Sequence, residues 1–151
     1  MNRLQPPELA QLVYVVDENL LRLGRALIAL RNDIACFGQP PLAELLPPGA
    51  GDTEWIPIVG SRGWIAITSD KRLRTRPAEA RLAIEHRLKV VHLHGGVGHR
   101  SAWQQAERLI SRWSAIERQR SNFADGPWWL SLRSDSSRVL AFEPGQVERD
   151  R

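Results

Sequence analysis

The sequence predicts an α/β domain in which a mostly parallel sheet carries helices on both faces. Short β-branched apolar runs alternate with longer segments of helical periodicity along most of the chain, which is the order typical of repeated strand–helix units. The first run, Leu12-Val13-Tyr14-Val15-Val16, is apolar without interruption. Such a run indicates a strand that is buried on both faces, as the strands of a parallel sheet are.

The predicted elements follow the order β-α-β-α-β-α-β-α. Strands are expected at 12–16, 34–37, 64–68 and 90–93, and helices at 19–31, 52–61, 77–88 and from Ser101 onward. The last helix is predicted to be the longest, because Ser101 and Gln104 form a capping box and an apolar stripe continues to Ile116. Segments 128–132 and 139–142 are expected to form a closing pair of strands, and the Pro- and Gly-rich segment 39–51 a long loop.

Length and composition narrow the classes of protein. The 151 residues suffice for one domain with its own core, which we expect over 1–142, followed by a flexible tail over 143–151. Cys36 is the only cysteine, which excludes an internal disulfide and a Cys-rich zinc site. No apolar run reaches the roughly 20 residues that span a bilayer, and the first residues lack the apolar core of a secretion signal. We therefore expect a cytoplasmic protein without membrane association.

The charge of the chain is compatible with a nucleic-acid partner. It has 21 basic and 17 acidic residues and a formal charge of +4. All of the basic residues except Lys71 and Lys89 are arginine, whose planar fork binds phosphate through paired hydrogen bonds. Genome composition explains the arginine bias equally well, so the charge fits nucleic-acid binding without requiring it.

Three aspartates fall where an α/β sheet places active groups. Asp17 directly follows the first strand, Asp70 lies just beyond the third, and Asp52 opens the helix that leads into the third strand. Because active groups gather at the carboxyl ends of parallel strands, these carboxylates are expected at one edge of the sheet. Glu18 and Glu54 are near enough in the sequence to assist them.

Clustered carboxylates predict a divalent metal. They repel one another and stay ionised only when cations neutralise them, and oxygen ligands of this kind select Mg²⁺ or Mn²⁺. Such an ion can activate water for attack on a phosphate. Each acid also has a purely structural interpretation, in which Asp17 and Asp52 are helix N-caps and Asp70 is a turn residue.

Basic side chains follow the third strand, beside the expected metal site. Lys71, Arg72 and Arg74 lie directly after Asp70, and we expect them to contact substrate phosphates. A solvated charged loop is an equally good interpretation of the same segment.

For the other residues that could bind a ligand or a metal, the sequence favours structural roles. His92 and His94 share a face of the fourth strand but have no third metal ligand nearby in the sequence, so structural histidines are expected. Residues 95–98 are glycine-rich but lack the lysine of a phosphate-binding loop, which favours a tight turn. Trp128 and Trp129 can stack on bases, but on an apolar strand they are expected in the core or at a dimer surface.

Three short motifs resemble those of the PIN-like domains. They are Val-Val-Asp-Glu-Asn-Leu at 15–20, Asp-Thr-Glu-Trp at 52–55 and Ile-Thr-Ser-Asp-Lys-Arg at 67–72. The resemblance is closest to VapC-type toxins with an Asp-Glu-Asn first motif, and it covers about residues 12–120. The order and spacing of the motifs carry it more than any one motif does.

The resemblance implies a three-layer α/β/α PIN-like fold and a metal-dependent ribonuclease that uses Mg²⁺ or Mn²⁺. It also implies a cognate antitoxin protein and a homodimer as partners. Matched residue by residue, Asp17, Asp52 and Asp70 correspond to the metal-binding acids of the family, Glu18 and Glu54 to acidic neighbours, and Thr68 to the residue that orients the last acid. The sequence departs from the family after the fourth strand, where residues 95–99 supply no further acid. This departure favours one tightly held metal over two, and both numbers stay open.

The sequence therefore predicts an endoribonuclease, the toxin of a type II toxin–antitoxin system. In this mechanism Asp17, Asp52 and Asp70 bind the metal, a metal-activated water attacks the phosphodiester, and basic residues hold the phosphate. Two alternatives stay open. One is a receiver-like phospho-acceptor module, although no hydroxyl residue matches after the fourth strand. The other is a non-catalytic RNA- or protein-binding domain on the same fold.

Overall fold

The protein is organised around one six-stranded sheet. The computed structural model describes residues 8–95 and 100–146, and all that follows concerns these residues. The strands are β1 (Tyr14–Val16), β2 (Ile34–Cys36), β3 (Ile65–Thr68), β4 (Lys89–Leu93), β5 (Trp128–Leu132) and β6 (Ser137–Leu140). They lie in the order β2-β1-β3-β4-β5-β6, and each neighbouring pair is parallel except β5 with β6. The predicted α/β class with a mostly parallel sheet is confirmed.

Helices cover both faces of the sheet and give the three-layer arrangement. Those in the described residues are α1 (Leu21–Leu30), α2 (Asp52–Ser61), α3 (Pro77–Glu85), α4 (Ala102–Ser111) and α5 (Trp113–Asn122). One apolar cluster joins α2 and α3 to one face of the sheet, and a second joins α1, α4 and α5 to the other. None of these helices is long and apolar enough to cross a membrane.

The central strands are mostly apolar because they are buried on both sides. Every residue of β1, β3 and β4 is buried. Trp128 and Trp129 on β5 point to opposite faces, and each belongs to a different apolar cluster. These two tryptophans therefore lie in the core, which agrees with the structural expectation and not with base stacking.

Several helix boundaries differ from the prediction for local backbone reasons. The predicted helix 19–31 begins with a 3₁₀ turn, Glu18–Leu20, before α1. The predicted helix 77–88 ends at Glu85 because Arg87 has a φ of 55°, which a right-handed helix does not allow. The predicted longest helix is wrong as a single element. The backbone of Arg112, with φ −103° and ψ 6°, divides it into α4 and α5. The capping box of Ser101 and Gln104 is confirmed.

Residues 141–145, which follow the last strand, fold back onto the segment after β3. The closing strand lies at Ser137–Leu140, two residues earlier than predicted, and Phe142 packs edge-on against Trp129 at 5.8 Å between ring centroids. The Glu143 N–H donates to the Arg74 carbonyl at 3.0 Å. Part of the predicted flexible tail is thus hydrogen-bonded, while residues 147–151 lie outside the described residues.

Candidate functional site

The carboxyl ends of β1 and β3 bring Asp17 and Thr68 together. Asp17 directly follows β1, and its backbone N–H extends the pairing with β3 by donating to the Ile67 carbonyl at 3.0 Å. Although Asp17 is the N-cap residue of the Glu18–Leu20 turn, its carboxylate is oriented by the neighbouring strand, because Thr68 Oγ1 donates to Asp17 Oδ2 at 2.8 Å. A buried hydroxyl on β3 therefore fixes the first acid.

Thr68 also positions Asp70, by accepting a hydrogen bond from the Asp70 backbone. The side chain of Thr68 is buried, and its Oγ1 accepts a hydrogen bond from the Asp70 N–H at 3.1 Å. One hydroxyl thus donates to Asp17 and accepts from Asp70. The resemblance implied a residue that orients the last acid, and the structure gives Thr68 a hydrogen bond to each of these two acids.

Asp70 caps the 3₁₀ turn that contains the predicted phosphate-binding residues. Its Oδ1 accepts from the Arg72 N–H at 3.0 Å and from Arg72 Nε at 3.1 Å. The predicted turn role of Asp70 is therefore confirmed. Asp70 can cap this turn and also belong to a functional site. The Arg72 side chain is 61% exposed, so its ion pair with Asp70 is solvated and weak.

Asp52 lies at the start of α2 without capping it. Gly51 is the N-cap residue, and Asp52 Oδ1 accepts a hydrogen bond from Trp55 Nε1 at 2.9 Å. The N-cap interpretation of Asp52 is therefore wrong. The two glutamates predicted to assist the aspartates lie apart. Glu54 is exposed in the first turn of α2, and Glu18 Oε1 accepts a hydrogen bond from the Gly49 N–H at 2.8 Å. Glu18 thereby ties the proline-rich loop to the turn after β1.

The charges of Asp52 and Asp70 act on the Asp17 carboxyl. Burial raises the pKa of the Asp17 carboxyl, the hydrogen bond from Thr68 opposes this effect, and the charges of Asp52 and Asp70 raise the pKa further. Asp17 and Asp70 lie at the same edge of the sheet, because they follow the neighbouring parallel strands β1 and β3, and the Asp52 charge reaches Asp17 from the start of α2. Within the described residues, however, no three His, Cys, Asp or Glu side chains are arranged to hold a metal ion.

The basic residues after Asp70 have different environments. Lys71 and Arg72 are exposed, as a role in phosphate contact requires. Arg74 is buried, and its Nη1 donates to the Ala141 carbonyl at 2.8 Å and lies 3.5 Å from Glu143 Oε2. The structure therefore corrects the prediction for Arg74, since its guanidinium holds residues 141–143 in place instead of facing a substrate.

A pocket beside Asp70 was not predicted from the sequence. It has a volume of about 390 Å³ and lies between residues 69–72 and the end of β4, where His92, His94 and Gly95 line it. Burial lowers the pKa of His92 to about 4, so the ring is neutral at pH 7. The two-residue spacing of His92 and His94 in the sequence places both on one face of β4 but does not indicate a pocket. The pocket depends on the pairing of β4 with β3, in which Thr68 lies opposite His92.

The comparison with protein families agrees with this geometry. Residues 12–95 match the model of the PIN-like domain. This segment includes β1 to β4 and contains all three aspartates. No curated protein and no solved structure matches the chain. After the fourth strand, the resemblance implies a further acid that this sequence lacks, and the glycine-rich sequence predicts a tight turn. Residues 96–99 of this segment lie outside the described residues. Because the match spans more than half of the sequence, the chain belongs to the PIN-like domain family.

Proposed function

We propose that the protein is a Mg²⁺- or Mn²⁺-dependent ribonuclease. The observation that carries the proposal is the Asp17 carboxylate, which is half-buried at the carboxyl edge of the sheet, held by Thr68, and near enough to Asp52 and Asp70 for their charges to raise its pKa. PIN-like domains have a nuclease-type fold and are usually nucleases that use divalent metals, which supports this proposal.

The donor chemistry of these residues fits a magnesium-type ion. Mg²⁺ is commonly held by one or two carboxylates while water and substrate phosphate complete its coordination, so a group of three protein ligands is not required. Asp17, with Asp70 or Asp52, would hold the ion. When bound, it would supply positive charge to the phosphodiester and make water more acidic.

The chain's own residues have defined roles around such an ion. Thr68 fixes the Asp17 carboxylate, which keeps one face of this acid oriented. Arg72 pairs with Asp70 at 3.1 Å and is exposed, so its guanidinium can exchange this partner for a substrate phosphate. Lys71 lies next to it and adds a second positive charge along the path of the RNA backbone.

The two alternatives are distinguished by separate observations. The observed strand order is compatible with a receiver-like module whose phospho-acceptor is Asp70. The family match and the sequence His94-Gly95 after β4, which lacks the Ser or Thr that such a module needs there, disfavour this interpretation. The non-catalytic alternative is an RNA- or protein-binding domain on the same fold. Binding of RNA without cleavage in Mn²⁺ would support it.

Metal removal provides the first test. The purified protein should degrade RNA in Mg²⁺ or Mn²⁺ and should stop in excess EDTA, because carboxylates alone repel a phosphodiester. Activity should return when the metal is restored. An Asp17→Asn protein purified in parallel controls for contaminating nucleases, and cleavage that persists undiminished in EDTA would refute the metal mechanism.

We further propose that the protein is a VapC-like toxin with a cognate antitoxin. The proline-rich loop 39–51 ends at Asp52 and is tied to Glu18 through Gly49, so an antitoxin segment bound to this loop would cover the site. Expression alone should slow bacterial growth, and co-expression of the neighbouring reading frame should restore it. Normal growth in the presence of soluble, RNA-cleaving protein would contradict the toxin role. The homodimer and the cytoplasmic location stay predictions.

A further inference from the structure

The pocket next to Asp70, which we call the His94 pocket, has the size and position of a ligand site. Its volume of about 390 Å³ falls within the range of small-molecule pockets, roughly 300–1,000 Å³. It opens at the carboxyl ends of β3 and β4, where parallel sheets bind their ligands. Asp70 belongs both to this pocket and to the acidic site, so a ligand in the pocket would lie beside the proposed cleavage site.

The wall of the His94 pocket is aromatic and preorganised. His92 is 2% exposed, and its Nε2 lies 3.3 Å from the Ser69 carbonyl oxygen. On the core side its ring lies 4.7 Å from that of Trp129, measured between centroids. The His94 ring meets His92 edge-on at 6.2 Å and is half-buried at the pocket wall. The wall of the pocket therefore contains two rings, and the half-buried His94 ring lies against the fully supported His92 ring.

The lip of the pocket is basic. Lys71 and Arg72 line it and are exposed, so the pocket combines cations at its lip with a ring in its wall. This combination matches a nucleotide, whose phosphate is anionic and whose base is flat and stacks on aromatic side chains. A bare metal ion fits less well, because no three ligating side chains of the described residues converge there.

We propose that the His94 pocket binds one unpaired nucleobase of the RNA substrate, next to the phosphate that is cleaved. The base stacks on the His94 ring, while Lys71 and Arg72 contact the adjoining backbone phosphates. The inference rests on the proposed ribonuclease function and adds to it a determinant of substrate choice. Only unpaired bases can enter the pocket, so single-stranded RNA is the expected substrate.

Binding to RNA with and without bases tests the proposal. Fluorescence anisotropy would compare four 12-nucleotide homopolymer RNAs with an abasic ribose-phosphate chain of equal length, in the Asp17→Asn background so that cleavage does not interfere. The best homopolymer should bind at least about fivefold more tightly than the abasic chain, since one base stack corresponds to roughly 5- to 150-fold in Kd. His94→Ala should remove this difference without weakening binding of the abasic chain, and His94→Phe should keep it.

His86→Ala is the matched control. His86 is also half-buried, but it follows α3 at the opposite edge of the sheet and lies 3.3 Å from Ser61 Oγ, so its removal should leave the difference unchanged. If His94→Ala retains the preference for bases, or if the parent protein shows none, the pocket does not bind a base. Wild-type cleavage is measured separately. If the wild-type protein cleaves RNA but His94→Ala does not change the preference for bases, only the base-binding role of the pocket is refuted. If binding depends on bases but no RNA is cleaved, only the nuclease function is refuted.

Discussion

Replacing Asp17 with asparagine is expected to abolish RNA cleavage while the protein stays folded. Asparagine keeps the size of the side chain and an oxygen that can accept the Thr68 hydrogen bond, now 2.8 Å long, but it removes the charge that attracts a divalent metal. Cleavage should fall by roughly a hundredfold or more, the scale seen when a group that stabilises transition-state charge is lost. Initial rates in saturating Mg²⁺ measure the effect.

The same substitution should raise the free energy of unfolding at neutral pH in the absence of metal. Folding raises the pKa of Asp17, chiefly through burial, so the folded state favours the protonated carboxyl. The contribution of the protonated Asp17 to stability is therefore lost as the pH rises through the folded-state pKa. The gain from Asp17→Asn should therefore be full at pH 7 and vanish as the pH falls below the ordinary value of 3.8. Urea unfolding at several pH values measures it.

Metal binding separates this site role from a structural one. Mg²⁺ at a hundred times its Kd should stabilise the wild-type protein by about 2.7 kcal/mol and should leave Asp17→Asn unchanged. Asp135→Asn is the control, because Asp135 is exposed in the turn between β5 and β6 and its loss should alter neither cleavage nor the response to Mg²⁺. An Asp17→Asn protein that melts early yet cuts RNA at the normal rate would make Asp17 structural.

Arg74→Ala is expected to destabilise the fold without removing a substrate contact. The substitution leaves the Ala141 carbonyl without its 2.8 Å donor and Glu143 without its ion pair, and it empties a buried position. Hydrogen bonds from charged groups and the packing of the side-chain stem together predict a loss of about 2–3 kcal/mol. For a domain of this size the thermal midpoint should fall by roughly 4–12 °C.

Lys71→Ala is the comparison for Arg74→Ala. Lys71 lies in the same 3₁₀ turn but is exposed, so its substitution should change stability by no more than about 0.5 kcal/mol. It should weaken RNA binding, and the weakening should depend on salt because phosphate contacts release counterions. The opposite pattern, with Arg74→Ala stable but defective in RNA binding, would restore the role predicted for Arg74 from the sequence.

The sequence by itself determined the order of the elements and the positions of two acids. Continuous burial of β1, β3 and β4 requires the apolar runs that identify them, and helical spacing is a local property of the chain. Asp17 and Asp70 follow their strands within two residues, so their placement at the carboxyl edge of the sheet follows from the strand assignments. The motifs around them also pointed to the family that the comparison then showed.

The tertiary structure decided the environment of each side chain, because its partners lie far away in the sequence. Arg74 became a buried anchor through the Ala141 carbonyl, 67 residues later, and nothing near Arg74 in the sequence indicates this contact. His92 and His94 line a pocket only because β4 pairs with β3. The relative positions of Asp17, Asp52 and Asp70 depend on how α2 and the loop before it pack against the sheet, and local periodicity carries no information about that packing.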